Sequence, residues 1–260
     1  MQISAAVAQF PIGWDIEANL AAITAALART QPGDLVVLPE AAVSGYGPDL
    51  ADRLVSLDPA RIEQAIDLLG ALARRHEIDV CCGSLRYEQG GWWNAAVFLG
   101  AGGERWTYRK INLARIERGV LRAGASLPPR TVRRGDAEVT LGVQLCREIR
   151  YPEQWQQLAR SGAQVFGYLT NAANADAPAG VWRSHLISRA AENQRYLLAA
   201  NLADPDQHCP TMIVSPHGEV LAELAPGETG VLRVSLDLTA VSNWNLDQQR
   251  RDVVDLRYTG

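Results

Sequence analysis

Val139-Thr140-Leu141-Gly142-Val143-Gln144-Leu145-Cys146-Arg147-Glu148-Ile149-Arg150-Tyr151-Pro152-Glu153 decides how this chain is read. The first half is an apolar run of strand length. The second half turns polar at once and leads into a helix with Trp155 and Leu158 inward, stopping near Gly162. Cys146 therefore stands at a strand–turn–helix junction. There a thiol meets cationic groups and free backbone amides, both of which favour the thiolate.

Two other polar residues hold similar places. Glu40 ends Leu35-Val36-Val37-Leu38-Pro39, and Lys110 ends the alternating run around Trp106 and Tyr108. In sheets packed by helices, strand ends are where rigid scaffold meets open space, so distant residues can converge there. A carboxylate, an ammonium and a thiol supply base, charge stabiliser and nucleophile for covalent acyl transfer. Burial after Leu38-Pro39 raises the pKa of Glu40 toward that of a useful base. Gly45-Tyr46-Gly47-Pro48 forms a tight loop fit to line a pocket. Each residue alone has a plainer reading: packing for Cys146, a helix cap or surface acid for Glu40, a solvated charge for Lys110. The three together point to chemistry. A Cys-His dyad is disfavoured, because none of His76, His185, His208 and His217 adjoins such a strand end.

Working outward, strands and helices alternate. Ile3–Gln9, Leu35–Leu38, Ile78–Cys82, Trp93–Leu99, Arg105–Lys110, Gln164–Leu169, Tyr196–Ala200 and Gly230–Leu236 read as strands. Ile16, Leu20, Ile23 and Leu27 recur at helical spacing, and Asp58-Pro59 caps a helix with Ile62, Ile66, Leu69 and Leu72 on one face. Val181–Gln194 is another helix, and Pro216-His217-Gly218 turns a late hairpin. No linker or repeat interrupts residues 1–260, so the expectation is a single α/β domain with mixed sheets covered by helices.

The bulk numbers agree. The chain is 47% hydrophobic and 21% charged, enough for a large core. A formal net charge of -4 gives no reason to expect nucleic acid as a partner. Cys81, Cys82 and Cys209 read as buried free thiols, Cys81 and Cys82 on opposite strand faces, with no zinc spacing. There is no basic leader and no membrane-length apolar run, so a cytoplasmic protein is expected. Neither GxGxxG nor a P-loop is present.

The same segments resemble the carbon–nitrogen hydrolase (nitrilase) superfamily, in order along nearly the whole chain. Leu38-Pro39-Glu40 with Gly45-Tyr46 resembles its glutamate motif, and Tyr108-Arg109-Lys110-Ile111-Asn112-Leu113 its lysine motif. Gly142-Val143-Gln144-Leu145-Cys146 with Arg150-Tyr151-Pro152-Glu153 resembles its nucleophile motif. Arg189-Ala190-Ala191-Glu192-Asn193 with Asn201 resembles a downstream pattern, and Gln9, Asn19 and Asn94 fall at familiar places. Asn112 stands where histidine is common. Leu121 and Ala123 replace an aromatic and a proline, and Arg147 an aromatic or small polar residue.

The resemblance implies a four-layer α-β-β-α sandwich that pairs into homodimers or larger assemblies. It implies that Glu40 is the base, Lys110 the oxyanion partner, Cys146 the nucleophile and Glu117 the acid that orients Lys110. Tyr46, Arg147, Arg150 and Asn171 are the expected substrate contacts, with no metal or organic cofactor. The implied reaction is hydrolysis of a small linear amide through an acyl-thioester. Arg150 suggests a carboxylate on the substrate, as in an ω-amide or N-carbamoyl amino acid; its plainer role is pairing with Glu148 or Glu153. An acyltransferase, or a binding protein on the same fold, is the alternative.

Overall fold

The period-two alternation of the strands sorts their side chains into two cores. In the computed structural model, which describes residues 1–134, 137–178, 180–255, 257 and 258, β1 (Gln2–Gln9) sends Ile3, Ala5 and Val7 to one core and Ala6 and Ala8 to the other. β2 (Asp34–Val37) does the same with Leu35 and Val37 against Val36. β3 (Asp79–Glu88) separates Cys81 from Val80 and Cys82, so the adjacent cysteines do face opposite ways. β4 (Gly91–Leu99) separates Ala96 and Phe98 from Val97 and Leu99.

With β5 (Arg105–Arg109) and β12 (Gly230–Asp237) these strands form one six-stranded sheet, in the order β12-β1-β2-β3-β4-β5. The second sheet contains β6 (Arg130–Arg134), β7 (Ala137–Leu145), β8 (Val165–Leu169), β9 (Tyr196–Ala200), β10 (Met212–Val214) and β11 (Val220–Glu223), in the order β11-β10-β9-β8-β7-β6. Both sheets are mixed: β1, β2 and β3 run parallel, as do β7, β8 and β9, and the flanking strands are antiparallel.

Helices cover the two outer faces. α1 (Ile16–Leu27) and the longer helix Pro59–His76 pack Ile23, Ile62, Ile66 and Leu69 on the first sheet. Asp58 caps the longer helix by accepting the Ala60 N–H at 2.9 Å. Helices Pro152–Arg160 and Val181–Asn193 cover the second sheet, with Trp155 edge-on to Phe166 at 5.2 Å between ring centroids. Burial of each such large apolar side chain stabilises the fold by about 1.5–3 kcal/mol. The layers run helix, sheet, sheet, helix, as the family resemblance implied. Where the sheets meet, Gly167 faces Val37: a Cβ there would rest in ordinary contact, 3.7 Å from a Val37 methyl.

Several elements differ from the sequence reading. β3 continues past Cys82 to Glu88, and a tight turn at Gln89 (φ 53°) and Gly90 (φ 73°) joins it to β4. The turn after Cys146 is a 3-10 helix, Cys146–Arg150, and Arg115–Glu117 is another. β6 was not foreseen; it is an edge strand with only Val132 plainly apolar at its centre. No helix among the described residues is long and apolar enough to cross a membrane.

Candidate active site

Four chain segments end at one place. Glu40 follows β2, Lys110 follows β5, Cys146 follows β7, and Thr170-Asn171 follow β8. Close backbone contacts fix the first two. Gly83 of β3 donates its N–H to Pro39 O at 3.0 Å, and a Cβ at Gly83 would lie 2.4 Å from Glu40 Cα. Gly124 donates its N–H to Lys110 O at 2.8 Å, and a Cβ there would lie 2.2 Å from Arg109 O. Lys110 also donates its own N–H to Asn94 O at 2.9 Å.

The Lys110 ammonium is fully buried between two carboxylates. It donates to Glu40 Oε1 at 2.8 Å and to Glu117 Oε1 at 2.9 Å. Asn94 Nδ2 bridges the same two oxygens at 2.7 and 2.5 Å. The backbone N–H of Asn171 donates to Glu40 Oε2 at 3.0 Å, and that of Ala114 to Glu117 Oε2 at 2.5 Å. Burial and the Glu117 charge raise the Glu40 pKa, while Lys110 opposes them. Burial works against the Lys110 ammonium, but Glu40, Cys146 and Glu117 outweigh it and hold its pKa above the lysine range.

Cys146 lies half-buried with φ 43°, in the left-handed region, which costs a non-glycine residue about 1–3 kcal/mol. The Tyr168 hydroxyl, donating to Cys146 O at 2.6 Å, holds that conformation. Burial and Glu40 push the Cys146 thiol up to about 12, against the pull of Lys110 and the Thr170 hydroxyl. A thiol so placed rests neutral, and it could act as a nucleophile only if a neighbouring base took its proton. The Arg147 N–H, in the first turn of the 3-10 helix, has no intrahelical acceptor.

A cavity of about 640 Å³ opens onto this point. Tyr46, Arg115, Cys146, Asn171, Trp182 and His208 are among its lining residues. The Tyr46 hydroxyl faces Glu117; burial and the Glu40 and Glu117 carboxylates raise its pKa and keep it protonated. Arg147 and Arg150 are not on the cavity wall. Arg150 pairs with neither Glu148 nor Glu153. Its guanidinium stacks 5.7 Å from the centroid of Trp182, on a cavity-lining side chain. Among the described residues, no group of three or more His, Cys, Asp and Glu side chains is placed to hold a metal ion.

Two residues of the site escaped the sequence reading. Asn94 was noted only for its place in the chain, not as the bridge between two acids. Glu148 was considered only as a mate for Arg150. It is fully buried, and its Oε1 accepts from Tyr108 Oη at 2.8 Å, Ile111 N at 2.7 Å and Asn112 N at 3.1 Å. Its Oε2 accepts from Leu145 N at 2.7 Å. One carboxylate thus ties the segment after Lys110 to the residue before Cys146, and burial pushes its pKa up to about 7. A further signal lay in the composition: Lys110 is the only lysine among the 25 Lys and Arg residues of the chain. A compact ammonium was kept where arginine serves everywhere else, and the two are not interchangeable in a closed slot.

A two-sheet sandwich with a glutamate–lysine–glutamate cluster beneath a strand-end cysteine defines a class, and the carbon–nitrogen hydrolase family model matches residues 4–246. The chain belongs to that family. It is 30% identical over 219 residues to the 2-oxoglutaramate amidase of Bacillus subtilis (strain 168), covering 81% of this chain and 80% of the relative. It is 30% identical over 212 residues to an (R)-stereoselective amidase of Pseudomonas sp., covering 79% and 73%. The crystal structure of an amidase from Nesterenkonia sp. superposes with a TM-score of 0.80 at 25% identity, covering 96% of this chain and 94% of that one.

Proposed function

We propose that this protein hydrolyses the carbon–nitrogen bond of a small linear amide that carries a carboxylate, an ω-amide or N-carbamoyl amino acid, through an acyl-thioester on Cys146. The observation that carries this reading is the Lys110 ammonium shared between Glu40 and Glu117 behind the cavity that Cys146 lines. The amidase names of the relatives support the choice of an amide.

The chemistry follows from the charges. Glu40 takes the thiol proton as Cys146 Sγ bonds to the amide carbon. Negative charge develops on the carbonyl oxygen, where Lys110 and the free Arg147 N–H stabilise it. Glu40 returns the proton to the nitrogen, the C–N bond breaks, and ammonia or an amine leaves the acyl-thioester. Water gives a proton to Glu40 as its oxygen bonds to the thioester carbon; the C–S bond then breaks, Glu40 returns that proton to the departing Cys146 Sγ, and the acid leaves with both groups restored. Glu117 neutralises part of the Lys110 charge and fixes its Nζ, so the ammonium is aimed but not free to move. Asn94 Nδ2 donates to both carboxylates and fixes their spacing.

Ammonia release from linear amides, N-carbamoyl amino acids and nitriles, measured for wild type and Cys146→Ala, tests this. We expect release from amides or carbamoyl compounds that vanishes in the variant. Release that survives in Cys146→Ala would overturn the mechanism, and a preference for nitriles would overturn the substrate class. Transfer of the acyl group to added hydroxylamine in preference to water would favour the acyltransferase reading.

A further inference from the structure

The buried network treats every amide alike, so discrimination has to come from the cavity wall above it. That wall carries one full charge of each sign, Arg115 and Asp204. Between them it is largely apolar, with Ile12, Pro48, Trp182 and Leu202. His208 adds no further positive charge near neutral pH, since burial and Arg150 lower its pKa.

Arg115 is held in register with the catalytic cluster. It opens the 3-10 turn that ends in Glu117, whose two carboxylate oxygens grip Ala114 N and Lys110 Nζ. Its side chain, by contrast, has no ion-pair or hydrogen-bond partner among the described residues. Nearby arginines are otherwise engaged: Arg105 with Glu63 and Asp67, Arg109 with Glu88. Asp204 is in a similar state. Its Oδ1 accepts the Asp206 N–H at 2.8 Å, and its Oδ2 has no partner among the described residues. The two charges do not pair with each other.

We propose that Arg115 and Asp204 read the non-reacting end of the substrate, so that the preferred amide carries both a carboxylate and an ammonium group, as the ω-amide of an α-amino acid does. This rests on the amide-hydrolase reading of Cys146 and narrows it. A guanidinium offers two parallel N–H bonds to a carboxylate, and the open Asp204 oxygen accepts from an ammonium. The cavity volume falls within the roughly 300–1,000 Å³ usual for small-molecule sites. Arg150, stacked on Trp182, contributes only long-range field to this wall.

Four amides of matched length test it: pentanamide (neutral), glutaramate (anionic), 5-aminopentanamide (cationic) and glutamine (zwitterionic). Each is assayed for kcat/KM with wild type, Arg115→Met and Asp204→Asn. Wild type should prefer glutamine. Arg115→Met should lose about tenfold or more on glutamine and glutaramate through KM, the scale of a lost charge-assisted bond, and about twofold or less on the other two. Asp204→Asn should show the mirror pattern, losing on glutamine and 5-aminopentanamide. Thermal melts should be unchanged, since Arg115 is exposed and Asp204 partly so. Hydrolysis of all four with no charge preference, or equal losses across them, would overturn the charge reading and leave the hydrolase intact. No Cys146-dependent release from any of the four would overturn this proposal, and the same result with N-carbamoyl amino acids would overturn the hydrolase reading as well.

Discussion

Lys110 and Arg115 stand on the same short connection, and the protein treats their charges in opposite ways. Lys110 is fully buried, held by Glu40 and Glu117 within 2.9 Å. Arg115 is exposed on the cavity wall and engaged by nothing among the described residues. The buried ammonium costs desolvation that only its two acids offset, so its position and its partners are fixed together. The wall arginine can be exchanged at little cost in stability. On the proposed reading the reaction is built into packed strand ends, while selectivity would rest on a solvent-facing surface that can change independently.

Replacing Lys110 should break this contrast most sharply. Lys110→Met leaves two buried carboxylates facing each other without a cation. We expect activity to fall below detection and stability to drop by about 3–5 kcal/mol, read as a lowered thermal midpoint. Lys110→Arg should lose comparable activity, because the larger guanidinium does not fit the closed slot. An active Lys110→Arg enzyme would show that a cation anywhere near the site suffices.

Gly83→Ala comes next. Its Cβ would meet backbone atoms of Glu40 and Ala41 at 2.4 Å, so Glu40 has to move. A small displacement of a catalytic base costs about 100-fold, and kcat should carry that loss while KM changes little. Gly83→Ala with wild-type kcat would mean that the site tolerates movement of its base.

Glu148 tests the coupling of the two strand ends. Its folded pKa of about 7 lies above the ordinary 4.5, so the ionised form is disfavoured in the folded protein. Its contribution is present below about pH 4.5 and lost as pH rises through 7, a change on the order of 3 kcal/mol. Glu148→Gln removes that titration. The stability of the variant relative to wild type should therefore rise between pH 4.5 and 7, as chemical denaturation at several pH values would show. Its kcat should fall about 10–100-fold, because the amide keeps one acceptor oxygen and sets an NH2 against either Leu145 N or the Ile111 and Asn112 N–H groups, the range seen when a supporting carboxylate is removed from another kind of site. A flat stability difference across that range would contradict the buried-acid account.

Arg150→Met should do least. Arg150 stacks on Trp182 outside the cavity, so kcat/KM for anionic and neutral amides should shift together and by less than about threefold, the scale of one exposed cation–π contact. A selective loss on carboxylate-bearing amides would return substrate recognition to Arg150.

Much of this was legible in the sequence because burial and chemistry change together at strand ends. The apolar runs before Glu40, Lys110 and Cys146 announce both the strand and its end. Glu117 was legible only through the family resemblance, since between Arg115 and Arg118 it reads as solvated. Asn94 and Glu148 were missed because their partners are far along the chain: Glu40 and Tyr108 reach them only once the sheets form. Arg150 drew the substrate's carboxylate because it is near Cys146 in sequence, whereas the cavity wall takes its arginine from the lysine connection. Gly83 reads locally as a strand breaker, yet β3 runs through it, and the missing side chain makes room for the backbone of Glu40.

The central claim is that Cys146 carries the acyl group, with Glu40 and Lys110 serving it from beneath the cavity. Acid-quenched intact mass spectrometry during turnover of a linear amide tests that most directly. The account predicts an added mass equal to the acyl group on wild type, mapped to Cys146, absent from Cys146→Ala, and decaying as substrate is exhausted. Turnover with no adduct at any quench time, together with ammonia release by Cys146→Ala, would contradict it.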